Sequence, residues 1–325
     1  KLQGKIFMKK KILVITPITH ISGLVKLLKK HFELTMLEDA SKKSVLQVIK
    51  KYEIIFTNPN MSKVLLSKEI LQKAKKLAFI CTASTGTNHI DLDYAKKRNI
   101  KVLSLRKEKK IINKISSTAE HALALMLAKI RNITESNYSV KRKKWDYRPF
   151  IGRQMNKLKV GIIGYGRLGK MMVKFLLPLV NQIFIFEKNF KIKSLKKKAS
   201  QVSLKKLLNN SDIISLHIHA DLNNINFICK KTLKLMKKNV LIVNTSRGDI
   251  INEKDLVDFL KKNKFSQYAT DVLKQEILNK FKSKIFKHSK NSNQILITPH
   301  IGGMTTDAQE LAYIGIAKNL ISNIL

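Results

Sequence analysis

The sequence has little cysteine, little acid and no long apolar run. Two cysteines in 325 residues, Cys81 and Cys229, rule out a disulfide scaffold. No Cys-x-x-Cys or Cys/His cluster offers a metal site, and both thiols read as small buried apolar side chains. No apolar stretch approaches the ~18 residues a bilayer span needs, so no membrane partner is expected. The start, Lys9-Lys10-Lys11 followed by Ile12 to Thr16, has the outline of a signal peptide. Its apolar part is too short and stops at Pro17, so it reads as a first strand and the expected location is cytoplasmic. Residues 1–7, ahead of Met8, are set aside as upstream read-through or a tag. Internal repeats and low-complexity linkers are also lacking.

Acidic residues number 22 against 64 basic ones, a formal net charge of +42. Such a charge would suit a polyanionic partner. The positive charge is nearly all lysine, however, spread along the whole chain beside abundant Asn and Ile. Arginine, the residue suited to bidentate phosphate and guanine contacts, is scarce. With no nucleic-acid-binding motif and no separate basic arm, the charge reads as compositional drift. Weak binding to nucleic acid at low salt is expected, but no specific nucleic-acid partner.

A 44% apolar content fits a globular protein, and the length fits two domains. From residue 11 short apolar runs alternate with helical patterns. The strands expected are Lys11–Thr16, Phe32–Met36, Ile54–Thr57, Ala78–Cys81 and Val102–Leu105. Amphipathic helices fall between them at Gly23–Lys30, Ser44–Lys50, Lys68–Lys76 and Asp91–Arg98. Ser116 to Glu120 then reads as a capping box opening a long apolar helix, Ala119–Ile130, and a loop with the only tryptophan, Trp145, follows. That helix is apolar around much of its circumference and is expected to be buried. A second α/β series has strands at Lys159–Ile163, Gln182–Phe186, Asp212–His217, Val240–Asn244, Tyr268–Val272 and Ile295–Thr298, and Thr306–Leu325 is one more helix. Buried strands alternating with helices imply parallel sheets covered on both faces, a doubly wound α/β architecture.

Gly164-Tyr-Gly166-Arg-Leu-Gly169 is weak evidence alone. Here it follows the strand Val160–Ile163 and opens a helix, Lys170–Leu177, and the next strand ends in Glu187. That context points to a dinucleotide. Gly164 permits the tight turn, Gly166 the close approach of backbone to pyrophosphate, and Gly169 the helix–strand packing. The helix N-terminus offers N–H groups to the anion. Glu187 would accept hydrogen bonds from the adenosine ribose and repel a 2′-phosphate, with adjacent Lys188 softening the preference for NAD.

Three polar residues each follow a strand: Arg247 in Asn244-Thr-Ser-Arg-Gly248, Glu276 after Asp271-Val272, and His300 in Thr298-Pro-His-Ile-Gly-Gly303. Singly, each has a bland reading as a surface or loop residue. Together they lie where open parallel sheets bind ligands, beyond the carboxyl ends of strands. Hydride transfer to a ketone wants this set. A histidine, with an unperturbed pKa of about 6.5, can protonate the carbonyl oxygen near neutral pH. A carboxylate beside it favours the charged imidazole. A guanidinium holds a substrate carboxylate and polarises the carbonyl.

The chain resembles the D-isomer-specific 2-hydroxyacid dehydrogenases, the group of D-3-phosphoglycerate, glycerate and D-lactate dehydrogenases, over about residues 9–325. The motifs carrying the resemblance are Thr85-Gly86-Thr-Asn88-His-Ile-Asp91, Ser117-Thr-Ala-Glu-His121, Gly164 to Gly169, Asn244-Thr-Ser-Arg247-Gly248, Asp271-Val272 with Glu276, and Thr298-Pro-His300. It implies that His300 is the proton donor, Glu276 its partner and Arg247 the substrate anchor. It also implies NAD as cofactor, a small 2-keto or 2-hydroxy acid as substrate, and a homodimer. Ser84, Thr85 and Gly86 would bind substrate together with Arg247 and His300. The cofactor set would be the glycine loop with Arg167 and Leu168, then Glu187, His219, Thr245, Ser246, Asp271, Gly302 and Gly303. The fold implied is a flavodoxin-like substrate domain, residues 1–115 with 304–325, plus a Rossmann NAD-binding domain, 116–303. No regulatory domain is expected after the last helix. Three departures stand out: His219 and Ile277 each occupy a position where the family usually has proline, and the stretch Ile277–Asn293 is long and lysine-rich. The rival reading is an NAD(H)-sensing, corepressor-like binding protein of the same fold; the complete Arg247, Glu276 and His300 set favours catalysis.

Overall fold

The computed structural model describes residues 9–274, 276 and 279–324; Ile277 lies outside them. The chain divides into two compact units, Lys1–Ile115 with Met304–Leu325, and Ser116–Gly303.

In the first unit, strands β1 (Lys11–Val14), β2 (Glu33–Met36), β3 (Ile54–Thr57), β4 (Phe79–Thr82) and β5 (Lys101–Ser104) alternate with helices α1 (Leu24–His31), α2 (Lys42–Val48), α3 (Lys68–Lys73) and α4 (Leu92–Lys97), and short α5 (Lys109–Ile112) follows. The strands pair in parallel in the order β2-β1-β3-β4-β5, the flavodoxin-like order. Successive residues of a strand point to opposite faces. Ile12, Val14, Ile54, Phe56 and Cys81 accordingly enter one core with the C-terminal helix Thr306–Ile324. Leu13, Ile15, Ile55 and Ile80 enter the other, with α2 and α3.

The second unit opens with α6 (Ser117–Ile130) and α7 (Ile133–Lys141). Then come β6 (Lys159–Ile163), α8 (Arg167–Leu176), β7 (Gln182–Phe186), β8 (Ala199–Gln201), α9 (Leu204–Asn210) and β9 (Ile213–Leu216). The series ends with α10 (Lys230–Leu233), β10 (Leu241–Asn244), α11 (Glu253–Lys262), β11 (Gln267–Thr270), α12 (Lys284–Ser289) and β12 (Ile295–Ile297). All pairings are parallel, in the order β12-β11-β10-β9-β6-β7-β8. The order reverses at β6, which places the glycine loop after β6 at the switch point where such sheets bind dinucleotides. Ile162, Ile183, Ile185 and Val243 pack beneath α6 and α8. Ile163, Phe184, Ile214 and Ile242 pack beneath α9 and α11. Each such side chain, fully buried, is worth about 1.5–3 kcal/mol relative to exposure.

Every strand read from the sequence is present to within two residues at either end. Three features differ. β8 was not expected; it is a three-residue strand pairing with β7 alone. The stretch before Trp145 is not all loop, since α7 occupies Ile133–Lys141 with no buried residue to give it an apolar stripe. The capping box at α6 is replaced by another device: Ser116 is the N-cap, but its hydroxyl donates to the Glu120 carboxylate rather than capping a backbone N–H. The helix itself is buried as expected along Ala119, Ala122, Leu125 and Met126. Among the described residues no helix is long and apolar enough to cross a membrane.

Candidate active site

The glycine loop is built for close approach. Gly164 has φ 94°, and a Cβ there would lie 2.7 Å from the His217 carbonyl oxygen, so no larger residue fits the turn. α8 begins at Arg167 with Gly166 as its N-cap. Its first-turn N–H groups face the ligand edge of the sheet, the place for a pyrophosphate. Leu168 packs its side chain onto the core beneath α8, so its backbone N–H is what it can offer an anion. Arg167 is half-buried, and burial pulls its guanidinium below the usual value.

Glu187 stands at the end of β7 and turns back toward this loop. Oε2 accepts from Tyr165 N and Oε1 from Asn189 N, both at 2.9 Å. A carboxylate so fixed suits the two hydroxyls of a ribose. Two further atoms fit a polar ligand at this edge. Among the described residues, His217 Nδ1 and Thr245 Oγ1 are buried without a hydrogen-bond partner, and buried polar groups ordinarily have one. His217 Nε2 is paired with Ser215 Oγ at 2.9 Å, and burial pushes the imidazole down to about 4, so it stays neutral near pH 7. His219, two residues on, is exposed, and its carbonyl accepts from Asn224 Nδ2 at 2.9 Å.

Beyond β10, the buried side chain of Asn244 shapes the turn that carries Arg247. Its Oδ1 accepts from Ser246 N at 3.0 Å, and its Nδ2 donates to Arg247 O at 2.9 Å. Ser246 Oγ donates to Leu216 O at 2.8 Å, tying the turn to β9. The Arg247 side chain is half-buried. Burial lowers its pKa, while Glu276 and Asp249 oppose by favouring the charge. Gly248 lies against the backbone of Leu273 and Lys274, where any Cβ would collide. That approach brings the Arg247 turn against the loop that carries Glu276.

Glu276 Oε1 lies 2.7 Å from His300 Nδ1, and its Oε2 accepts from Leu273 N at 3.4 Å. Both side chains of the pair are about one-quarter exposed, at 26% for His300 and 28% for Glu276. His300 itself has φ 60°, a left-handed conformation that costs a non-glycine residue about 1–3 kcal/mol and collects at functional sites.

Asp271 lies beneath this loop, 2% exposed. Its Oδ1 accepts from Thr298 Oγ1 and Ile301 N, and its Oδ2 from Gly302 N. Burial would raise its pKa; donors from His121, Thr298, Gly302 and Ile301 outweigh burial and hold it below the usual carboxylate range. The sequence places Asp271 in the expected cofactor set. The structure gives it a further task, anchoring the loop Thr298–Gly303. Gly302 and Gly303 end that loop.

Ser84, Thr85 and Gly86 lie in the first unit, on the turn after β4. Ser84 Oγ donates to Gly86 O at 2.7 Å and pairs with Thr82 Oγ1 at 2.9 Å, and Thr82 in turn pairs with His89 Nε2 at 3.1 Å. Asn58 Nδ2 holds Ala83 O at 3.1 Å. Hydroxyl and amide side chains therefore fix the shape of this turn.

Sequence reasoning assigned no role to Asn244, His217, Thr298 or His121. Asn244, Thr298 and His121 stand inside motifs it singled out; Asn244 and His217 bond to residues two or three positions away, whereas Thr298 and His121 meet Asp271 only in the fold. No group of three or more His, Cys, Asp or Glu among the described residues could hold a metal ion.

Residues 123–302 match the family model described as D-isomer specific 2-hydroxyacid dehydrogenase, NAD binding domain. The chain is 30% identical over 317 residues to D-3-phosphoglycerate dehydrogenase of Archaeoglobus fulgidus, covering 96% of this chain and 57% of that protein. It is 29% identical over 306 residues to glyoxylate reductase of Thermococcus litoralis, covering 92% of this chain and 89% of the other. The structure superimposes on D-lactate dehydrogenase of Aquifex aeolicus, solved with NAD and lactic acid, with a TM-score of 0.81 and 28% identity, covering 97% and 95% of the two chains. The chain spans little more than half the length of the phosphoglycerate dehydrogenases it matches. With the glycine loop, the strand order and the matched residues in agreement, the chain belongs to the D-isomer specific 2-hydroxyacid dehydrogenase family.

Proposed function

We propose that the chain interconverts a small 2-keto acid and its D-2-hydroxy acid with NAD as redox partner. The observation that carries this reading is the His300–Glu276 pair at 2.7 Å, on loops beyond β12 and β11 of the sheet that matches the NAD-binding model. Bound nicotinamide supplies the hydride to the carbonyl carbon, or accepts it in the reverse direction. The protein does the rest. The glycine loop, Arg167 and the start of α8 would hold the pyrophosphate and Glu187 the ribose, and Thr245 and Asp271 would serve the nicotinamide end.

Arg247 binds the substrate carboxylate and draws electron density from the neighbouring carbonyl. His300 delivers a proton from Nε2 to the carbonyl oxygen as hydride arrives, while Glu276 on Nδ1 fixes the orientation of the ring. The turn Ser84–Gly86 of the first unit is the element we assign to substrate selection.

The relatives act, by name, on phosphoglycerate, glyoxylate, hydroxypyruvate and lactate. The test is therefore NADH oxidation with phosphohydroxypyruvate, glyoxylate, hydroxypyruvate and pyruvate. Turnover with at least one is expected; none with any would overturn the proposal.

A homodimer is part of the same reading. Ile133, Tyr138, Trp145, Tyr147 and Ile151 are each more than half exposed, Trp145 at 92%. So many large apolar side chains in one short stretch mark a surface that another protein covers. Light scattering in solution checks the mass.

A further inference from the structure

The motif Ser117-Thr-Ala-Glu-His121 has no part in the chemistry above, yet it ends on a histidine turned toward the His300 loop. His121 sits on α6, and its Nε2 lies 2.8 Å from Thr298 Oγ1 and 3.3 Å from Asp271 Oδ1. We infer that His121 is a positioning residue for the proposed reaction: through Thr298 and Asp271 it holds the turn that presents His300. The inference rests on the dehydrogenase reading above.

Donor and acceptor roles follow from the geometry. Asp271 is buried, and four donors hold it in its charged form, so it can only accept. The single hydrogen of Thr298 Oγ1 is therefore committed to Asp271 Oδ1, at 2.5 Å. Toward His121 the Thr298 oxygen can then only accept, so His121 carries a hydrogen on Nε2. The chain runs His121 N–H to Thr298 oxygen, and Thr298 O–H to Asp271.

Asp271 passes the constraint on. Its two oxygens take the N–H groups of Ile301 and Gly302, the two residues directly after His300, at 2.9 and 2.7 Å. His300 N donates to Thr298 O at 3.0 Å. The left-handed His300 is thus clamped from both sides, and the clamp closes on one buried carboxylate. Such a carboxylate is stable only while its donors are in place. Without the His121 N–H, the Thr298 oxygen loses the donor that orients its hydroxyl toward Asp271, and the strained turn has less to oppose its relaxation. A displaced imidazole delivers its proton poorly even with substrate bound.

The test uses the full chain with NADH and the best keto acid. His121→Leu removes the donor, and His121→Gln keeps an N–H at about the same reach. The leucine variant should lose kcat by about 10–100-fold, the scale of a misplaced catalytic group. KM for the keto acid and the Kd of NADH should hold. The glutamine variant should recover most of the loss. Thr298→Val should lower kcat likewise, and the double variant His121→Leu with Thr298→Val should be no worse than the worse single, because both break one chain. Amide exchange at Ile301 and Gly302, read without substrate, should quicken in His121→Leu and not in His121→Gln.

A leucine variant with wild-type kcat and unchanged exchange at those amides overturns the inference. So does a loss of kcat that glutamine fails to rescue and that adds to the Thr298→Val loss, since that describes general damage to the fold. If the wild type reduces no keto acid, the proposed function is what fails, and the exchange measurement still decides whether His121 holds the turn.

Discussion

His300 and Glu276, 24 residues apart in the chain, meet with Nδ1 and Oε1 separated by 2.7 Å. The contact holds Nδ1 of the imidazole against the carboxylate and so fixes the direction in which Nε2, across the ring, points. A histidine held this way is a donor of fixed direction, which proton transfer in step with hydride transfer requires.

Replacing His300 by Gln should therefore leave NADH binding intact while turnover falls by about 10²–10⁴-fold, the usual contribution of a positioned general acid. Fluorescence titration reads the binding and steady-state rates read the turnover. A glutamine variant that reduced keto acid at the wild-type rate would place the proton source elsewhere.

Arg247→Ala should behave differently. In the proposed role it removes an anchor used in both ground and transition states, so KM for the keto acid should rise steeply as kcat falls. Arg247→Lys should recover only part of the loss, because a point charge cannot reproduce the planar, two-point grip of a guanidinium. A kinetic profile for the lysine variant equal to wild type would show that charge alone suffices.

On the proposed reading, cofactor choice should turn on Glu187. Its carboxylate is fixed beside the glycine loop by Tyr165 N and Asn189 N, where a 2′-phosphate would meet negative charge. NADH should be used with much higher kcat/KM than NADPH, and Glu187→Gln should narrow the gap. Equal kcat/KM values in the wild type would point to Lys188 and its basic neighbours as the stronger influence.

Acid stability should depend on Asp212. Burial would raise its pKa, but Lys159 N, Lys237 and Arg153 outweigh burial and lower it. A carboxyl whose folded-state pKa is depressed stabilises the fold above its unfolded value of about 3.9 and loses that contribution as pH falls through the lower, folded value. Asp212→Asn should cost about 1 kcal/mol at neutral pH, screening by solvent included. The difference from wild type should shrink below about pH 4. Melting curves at pH 7 and pH 3.5 measure both, and an undiminished gap at the lower pH would contradict the assignment.

Much of this was legible in the chain itself. Buried parallel strands are short apolar runs, and runs such as Lys159–Ile163 and Gln182–Phe186 announce themselves together with their spacing from the glycine loop. The placement of Arg247, Glu276 and His300 after strands was legible for a related reason: parallel sheets bring the carboxyl ends of their strands to one edge. β8 and α7 were not legible. Ala199–Gln201 has a single apolar residue and is a strand only because β7 offers it an edge, and α7 buries nothing that would print a stripe in the sequence.

What only the tertiary structure decided is how the site is held. His121 and Thr298 are 177 residues apart, and no local pattern says that a helix ahead of the sheet will reach a loop beyond its last strand. The left-handed backbone of His300 and the four donors gathered by Asp271 have the same origin. Which residues stand at the ligand edge follows from residue type and strand position, which are local. Their orientation depends on hydrogen bonds whose partners meet only once the sheet has formed and α6 has packed upon it.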